Sequence, residues 1–163
     1  MGLFSPSSAT AETRLAVLDF ELKDLTLKPR TPQELERTAS LGPLLREALT
    51  KKQGYRHVTI GQADQAKANV SVGYLFDHPD VAAELGKRFG ADWVAVGRLH
   101  KPSFLFAYLK VRLVNVRTAL IMGDYIVEIK GYMKKLAVRG TEQLADQIDG
   151  TIRQSQANAG AAH

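Results

Sequence analysis

The chain has 163 residues, 45% of them hydrophobic and 24% charged, with a formal net charge of +5 and no cysteine. That balance fits one globular domain with a sizeable core. It excludes a disulfide framework, a thiolate nucleophile and cysteine-ligated metal, and no apolar run is long enough to span a membrane.

The positive charge is dispersed in pairs, Lys51-Lys52, Lys87-Arg88 and Lys134-Lys135, each near an expected helix end. No zinc-finger, RNP or helix-turn-helix spacing accompanies it, so nucleic acid is not expected as a partner. In chain order, residues 1–13 are small, polar and non-periodic and lack the features of a signal peptide; they are expected to be disordered. Residues 14–153 read as a single α/β domain, and 154–163, ending "SQANAGAAH", as a disordered tail.

"RLAVLDFEL" (14–22) predicts a first, largely buried strand, with Asp19 near its exposed end. In "RTPQE" Thr31 is a good N-cap, Pro32 suits the first helical position and Glu34 completes a capping box. Leu41, Leu44, Leu45, Ala48 and Leu49 form the apolar stripe of the helix that follows; Gly42-Pro43 predicts a kink or break near Ser40, and Gly54 the stop. Residues 55–60 read as a short strand, 62–68 as a weak helix, 69–76 as a connecting loop and 79–89 as a helix. "DWVAVGRL" (92–99) is the clearest buried strand.

Residues 103–117 then alternate. Leu105, Ala107, Leu109, Val111 and Leu113 take the core face; Phe104, Phe106, Tyr108, Lys110 and Arg112 take the other. A turn at 117–120 and a second strand from Ile121 complete a long antiparallel hairpin, and 141–153 forms the last helix, with 131–140 open between strand and helix. The expected fold is therefore α/β, a mixed sheet of about five strands with a long C-terminal antiparallel hairpin and three to four packed helices.

The octet "GYLFDHPD" is the most pointed motif. With Asp77 or His78 as N-cap and Pro79 at the first helical position, the carboxylates of Asp77 and Asp80 would satisfy free helix amides, but neither scheme requires an imidazole. His100 follows the buried strand at its carboxyl end, where ligands gather in open α/β sheets. If His78 and His100 meet, they and the two aspartates offer a set suited to a divalent metal. Lys101 and Ser103 beside His100 are suited to an anionic group instead. Phe104, Phe106 and Tyr108 either form a second core layer or an exposed band for a partner or a second copy of the chain. No nucleophile elbow, P-loop, His-Glu-x-x-His or dinucleotide fingerprint is present, so no catalytic residue is assigned.

The stretches "RLAVLDFELKDLT", "TASLGPLLREAL", "VEIKG" and above all the block from "GYLFDHPD" to "VRLVNVRT", with its "FDHPD" and "LHKPSFLFAY" motifs, resemble a family of uncharacterised, predicted secreted bacterial proteins. More distantly, the order "AVLDF", helix, "GADWVAVGRL", hairpin is similar to the amino-terminal domain of TolB and to curli-secretion lipoproteins. The resemblance implies a periplasmic or secreted protein whose precursor carries a signal peptide absent here, and a module that binds other proteins and catalyses nothing. Ala119 stands where a hairpin turn of this kind favours glycine. The expected function is a non-enzymatic periplasmic accessory module without a cofactor. It would recognise an envelope protein or small ligand through Asp77, His78, Asp80, His100, Lys101, Ser103, Phe104, Phe106 and Tyr108. The alternative is a metal carrier or metal-dependent hydrolase using His78 and His100. A homodimer through the aromatic strand face is a further expectation.

Overall fold

The computed structural model describes residues 12–161. Most of the segment expected to be disordered, 1–11, and the final 162–163 lie outside the described residues. The elements run β1 (Thr13–Val17), β2 (Glu21–Asp24), α1 (Pro32–Thr50), β3 (Tyr55–His57), α2 (Gln62–Ala68), α3 (Tyr74–Asp77), α4 (Pro79–Arg88), β4 (Trp93–Lys101), β5 (Ala107–Asn115), β6 (Leu120–Ile129) and α5 (Lys134–Ala161). They build one six-stranded mixed sheet in the order β3-β1-β4-β5-β6, with β2 beside β4 beyond the end of β1. β1, β2 and β3 join by parallel ladders, and β4, β5 and β6 by antiparallel ones.

Two cores lie on opposite faces because β4 alternates between them. Trp93, Ala95 and Leu99 join the stripes of α1 (Leu41, Leu45, Leu49) and α5 (Leu144, Ile148, Ile152). Val94 and Val96 face α3 and α4 through Leu75, Phe76, Ala82 and Leu85. Each fully buried leucine or isoleucine contributes about 1.5–3 kcal/mol by leaving water, before the entropy of ordering it is counted. Gly140 lets α5 settle on the hairpin, since a Cβ there would lie 2.7 Å from Leu109 Cδ1.

Several expected elements differ. The first strand is broken in two: Asp19 sits in the gap, its carboxylate 3.0 Å from Arg46 and its amide bonded to Gln65 Oε1. α1 passes through Pro43 without a break. Pro43 and Ala39, whose carbonyl loses its partner, are both exposed, so water can take that carbonyl. Thr31 Oγ1 accepts the Glu34 amide at 3.1 Å, as the capping motif predicts. The Glu34 carboxylate, however, turns into the protein. β5 starts at Ala107, so Phe104 and Phe106 are loop residues and Leu105 is exposed rather than core. The expected aromatic strand face therefore shrinks to Tyr108. Residues 154–161, expected as tail, continue α5.

The hairpin turn places Ala119 at φ 59°, the left-handed region that glycine occupies most readily. Ala119→Gly is expected to raise the unfolding free energy by about 0.5–1 kcal/mol, read as a higher urea midpoint at unchanged slope.

Candidate functional site

β4 ends, and β5 begins, at one rim of the sheet, and the residues singled out from the sequence lie around it in three separate settings. Asp77 closes α3, with its carboxylate 3.6 Å from Arg112 and 4.0 Å from Arg98. His78 is the N-cap of α4, one of the two expected placements, with Pro79 at the helix start and no side-chain cap hydrogen bond. Its Nδ1 lies 2.8 Å from the Tyr74 carbonyl, which it meets by donating, and its ring stacks on Tyr74 at 3.9 Å between centroids. Asp80 is exposed in the first turn of α4. Local backbone and aromatic contacts thus account for the imidazole that the cap left unexplained.

His100 lies on the same sheet face but stacks with Tyr108 across the β4–β5 ladder. Burial first, and then the charges of Lys110, Lys23 and Arg98, hold its pKa below the usual histidine value. Those three neighbours are all cations. Among the described residues, no group of three or more His, Asp or Glu side chains is placed to hold a metal ion.

Lys101 is not part of this surface. As the next residue along the strand it points to the opposite face, where it is buried. Its ammonium donates to Glu34 Oε2 at 2.9 Å and to the Tyr132 hydroxyl at 2.8 Å. Glu34 also accepts from Arg37, whose Nη1 donates to the Gly131 carbonyl at 2.9 Å. Burial pushes the Glu34 carboxyl up, but hydrogen bonds from Lys101, Arg37 and Tyr132 together outweigh it and hold the group below its ordinary range. Burial opposes the Lys101 charge too, yet Tyr132 and Glu34 raise its pKa. Ser103 turns inward on its own loop, accepting the Leu105 amide at 3.3 Å, and Phe104 lies under Lys28, with Nζ 4.2 Å from the ring centroid.

A second charged assembly lies on the α2–α4 face. The buried Phe76 ring is flanked by Arg98 and Arg112, with guanidinium carbons 4.1 and 4.4 Å from its centroid. Glu21 Oε1 accepts from Arg98 Nε at 2.6 Å and Oε2 from the Gly73 amide at 2.9 Å. Gly73, at φ 83°, is needed there, because a Cβ would fall 2.6 Å from Arg98 Nη2. Sequence reasoning missed this assembly. The available signal was Arg98 itself, a charge inside an apolar strand that burial obliges to find a partner.

Phe76 also marks where helical cover stops. Below it α4 and α3 bury Val94, Val96 and Val114. Above it the registers align Lys23, His100, Tyr108 and Glu128 in one row, and Arg98, Lys110 and Ile126 in the next. Lys23, Glu128 and Ile126 are exposed, and His100, Tyr108 and Lys110 half-exposed. Beside this bare face, a cleft of about 210 Å³ lies between α2 and the β1–β2 break. Two of its amide side chains are engaged with backbone: Gln65 bonds the Asp19 amide and the Ile60 carbonyl, and Asn69 accepts the Leu75 amide.

A family model described as DUF3280, protein of unknown function (DUF2380), matches residues 13–148. No curated protein matches the chain. Among solved structures, the chain is similar to the LpoB C-terminal domain from Salmonella enterica, at 17% identity and a TM-score of 0.51, covering 77% of this chain and 87% of that one. It is also similar to lipoprotein GNA1162 from Neisseria meningitidis, at 19% identity and a TM-score of 0.50, covering 84% and 96%. TolB from Acinetobacter baumannii is matched at 11% identity and a TM-score of 0.47, over 89% of this chain and 28% of that one. At such identities the first two likenesses show a shared fold.

Proposed function

The chain belongs to the DUF3280 family of proteins of unknown function, and from that premise we propose that it is a non-catalytic accessory module of the cell envelope that recognises a partner protein. The observation that carries this reading is the bare upper half of the sheet face, where His100, Tyr108, Lys110 and Ile126 stand beyond the last helical cover. An aromatic and an aliphatic side chain flanked by Lys23 and Lys110, with Glu128 at the far edge, suit a partner segment with an apolar anchor and mainly acidic flanks. His78 and Asp80 border this face from α4. The neighbouring cleft presents backbone-engaged amides, which favours a protein partner over a small ligand. The internal charges are tied to one another in structural pairs, in keeping with a binding rather than a catalytic role. Similarity to a lipoprotein supports an envelope setting. Among the described residues no helix is long and apolar enough to cross a membrane.

Site-specific photo-crosslinking in cells tests this. A photoreactive side chain at Tyr108 or Ile126 is expected to give one adduct of defined mass, lost in Lys110→Glu, while the exposed α5 position Gln143 gives none. An adduct at twice the chain's mass would assign the face to a second copy. Absence of any adduct at both positions, or the same adducts from Gln143, would remove the reading.

A further inference from the structure

Three loops leave the sheet at the same end: 25–31 after β2, 102–106 between β4 and β5, and 130–133 between β6 and α5. The ladders fix this, pairing Asp24 with Lys101, His100 with Tyr108 and Ala107 with Ile129. Leu27 is fully exposed, Leu105 is 73% exposed and Met133 59%, with Leu25, Phe104, Phe106 and Tyr132 also exposed beside them. Lone exposed apolar residues need no explanation, but seven on three adjoining loops do.

The three loops themselves carry cations alone, with two carboxylates at their margins, Asp24 near Arg30 and Glu36 in one hollow with Tyr132 and Lys134. Segments 25–31, 102–106 and 130–135 contain Lys28, Arg30, Lys130, Lys134 and Lys135 and no Asp or Glu. Lys134 and Lys135 open α5 with no acidic residue in its first turn, where the helix dipole disfavours cations. Leu27 holds a left-handed backbone at φ 62°, which a bulky side chain rarely adopts. Folding gains nothing from either feature.

We propose that this loop end seats the protein on an anionic lipid surface, with Leu27, Leu105 and their apolar neighbours entering the headgroup boundary and the cations meeting lipid phosphates. Charge complementarity selects this occupant. Four of the five cations are lysines, which protein interfaces deplete and which anionic bilayers attract, their stems able to lie along apolar surface. The hollow between Phe104–Phe106 and Tyr132 is only about 20 Å³, too small to seat a partner's anchor side chain. Apolar tips ringed by cations are the combination that interfacial binding to anionic lipid uses.

Flotation of the full chain with phosphatidylcholine vesicles, and with vesicles also containing phosphatidylglycerol, tests the proposal. The protein is expected to float with the anionic vesicles alone and to be released by salt. The Leu27→Asp, Leu105→Asp double variant is expected to lose about tenfold or more in vesicle affinity. Both residues are exposed, so an unchanged melting temperature shows that the variant is folded. Protein that stays unbound to anionic vesicles overturns the proposal and leaves this end to a protein partner. Double-variant protein that floats like wild type overturns it as well, since the attraction would then be diffuse charge alone.

Discussion

Glu34→Ala is expected to lower the unfolding free energy by about 3–5 kcal/mol, because it strips the carboxylate from two buried cations. Lys101 and Arg37 would each keep a charge in a site shielded from water, with only the Tyr132 hydroxyl, the Gly131 carbonyl and the Tyr132 ring left to them. The desolvation of those charges, more than the lost attraction, sets the size of the effect. Replacing the trio by apolar residues of similar volume (Glu34→Leu, Arg37→Met, Lys101→Met) should recover most of it, since no unpaired charge then remains inside. Urea unfolding of the three proteins measures both differences. A loss below about 1 kcal/mol for Glu34→Ala would mean that water already solvates the pair.

The same network gives the pH dependence its sign. Glu34 titrates lower in the folded protein than its ordinary 4.5, so its contribution is complete above that value. It declines as acid takes the pH below 4.5 and is gone beneath the depressed folded value. Lys101 titrates higher than its ordinary 10.5, so its contribution is complete below 10.5 and is lost as the pH rises through the folded value. Between these limits the network alone predicts a flat plateau, and the triple apolar variant should lose both flanks together.

What the sequence made legible was whatever depends on near neighbours. "DWVAVGRL" reads as a buried strand because five of its eight residues are hydrophobic, and the hairpin reads from alternation at Leu109, Val111 and Leu113. Thr31 reads as a cap because its partner is three residues away. Alternation misled at Leu105, where Pro102 and the end of the sheet take the chain out of the ladder. Periodicity missed residues 154–161, since Gln, Ala and Asn there favour or tolerate helix without presenting an apolar stripe. Lys101 was placed beside His100 although adjacent strand residues face opposite ways. Its partner Glu34 lies 67 residues off, and that of Arg98 lies 77 residues off, separations that no local spacing reveals. The candidate site was therefore legible as a rim and illegible as a set of pairs.

Phe76 is where rim and pairs meet, and its replacement carries the second large effect. Phe76→Ala is expected to cost about 3–5 kcal/mol, the range for emptying a buried aromatic site. Phe76 is 3% exposed and belongs to the core beneath α3 and α4, so the loss loosens the aromatic cover over Arg98 and Arg112. Phe76→Leu separates two contributions. It restores most of the buried area but offers no π-face, and about 1–2 kcal/mol should remain missing if both guanidinium contacts count. Arg98 should carry the larger share, because its side chain is 7% exposed against 25% for Arg112, and desolvation strengthens such contacts. Combining Phe76→Leu with Arg112→Leu therefore gives a smaller coupling energy than combining it with Arg98→Leu, and a double-mutant cycle in urea reads both. Coupling energies near zero in both cycles would reduce the ring to a space-filler and leave Glu21 and Gly73 as the groups that fix Arg98 at the edge of the bare face.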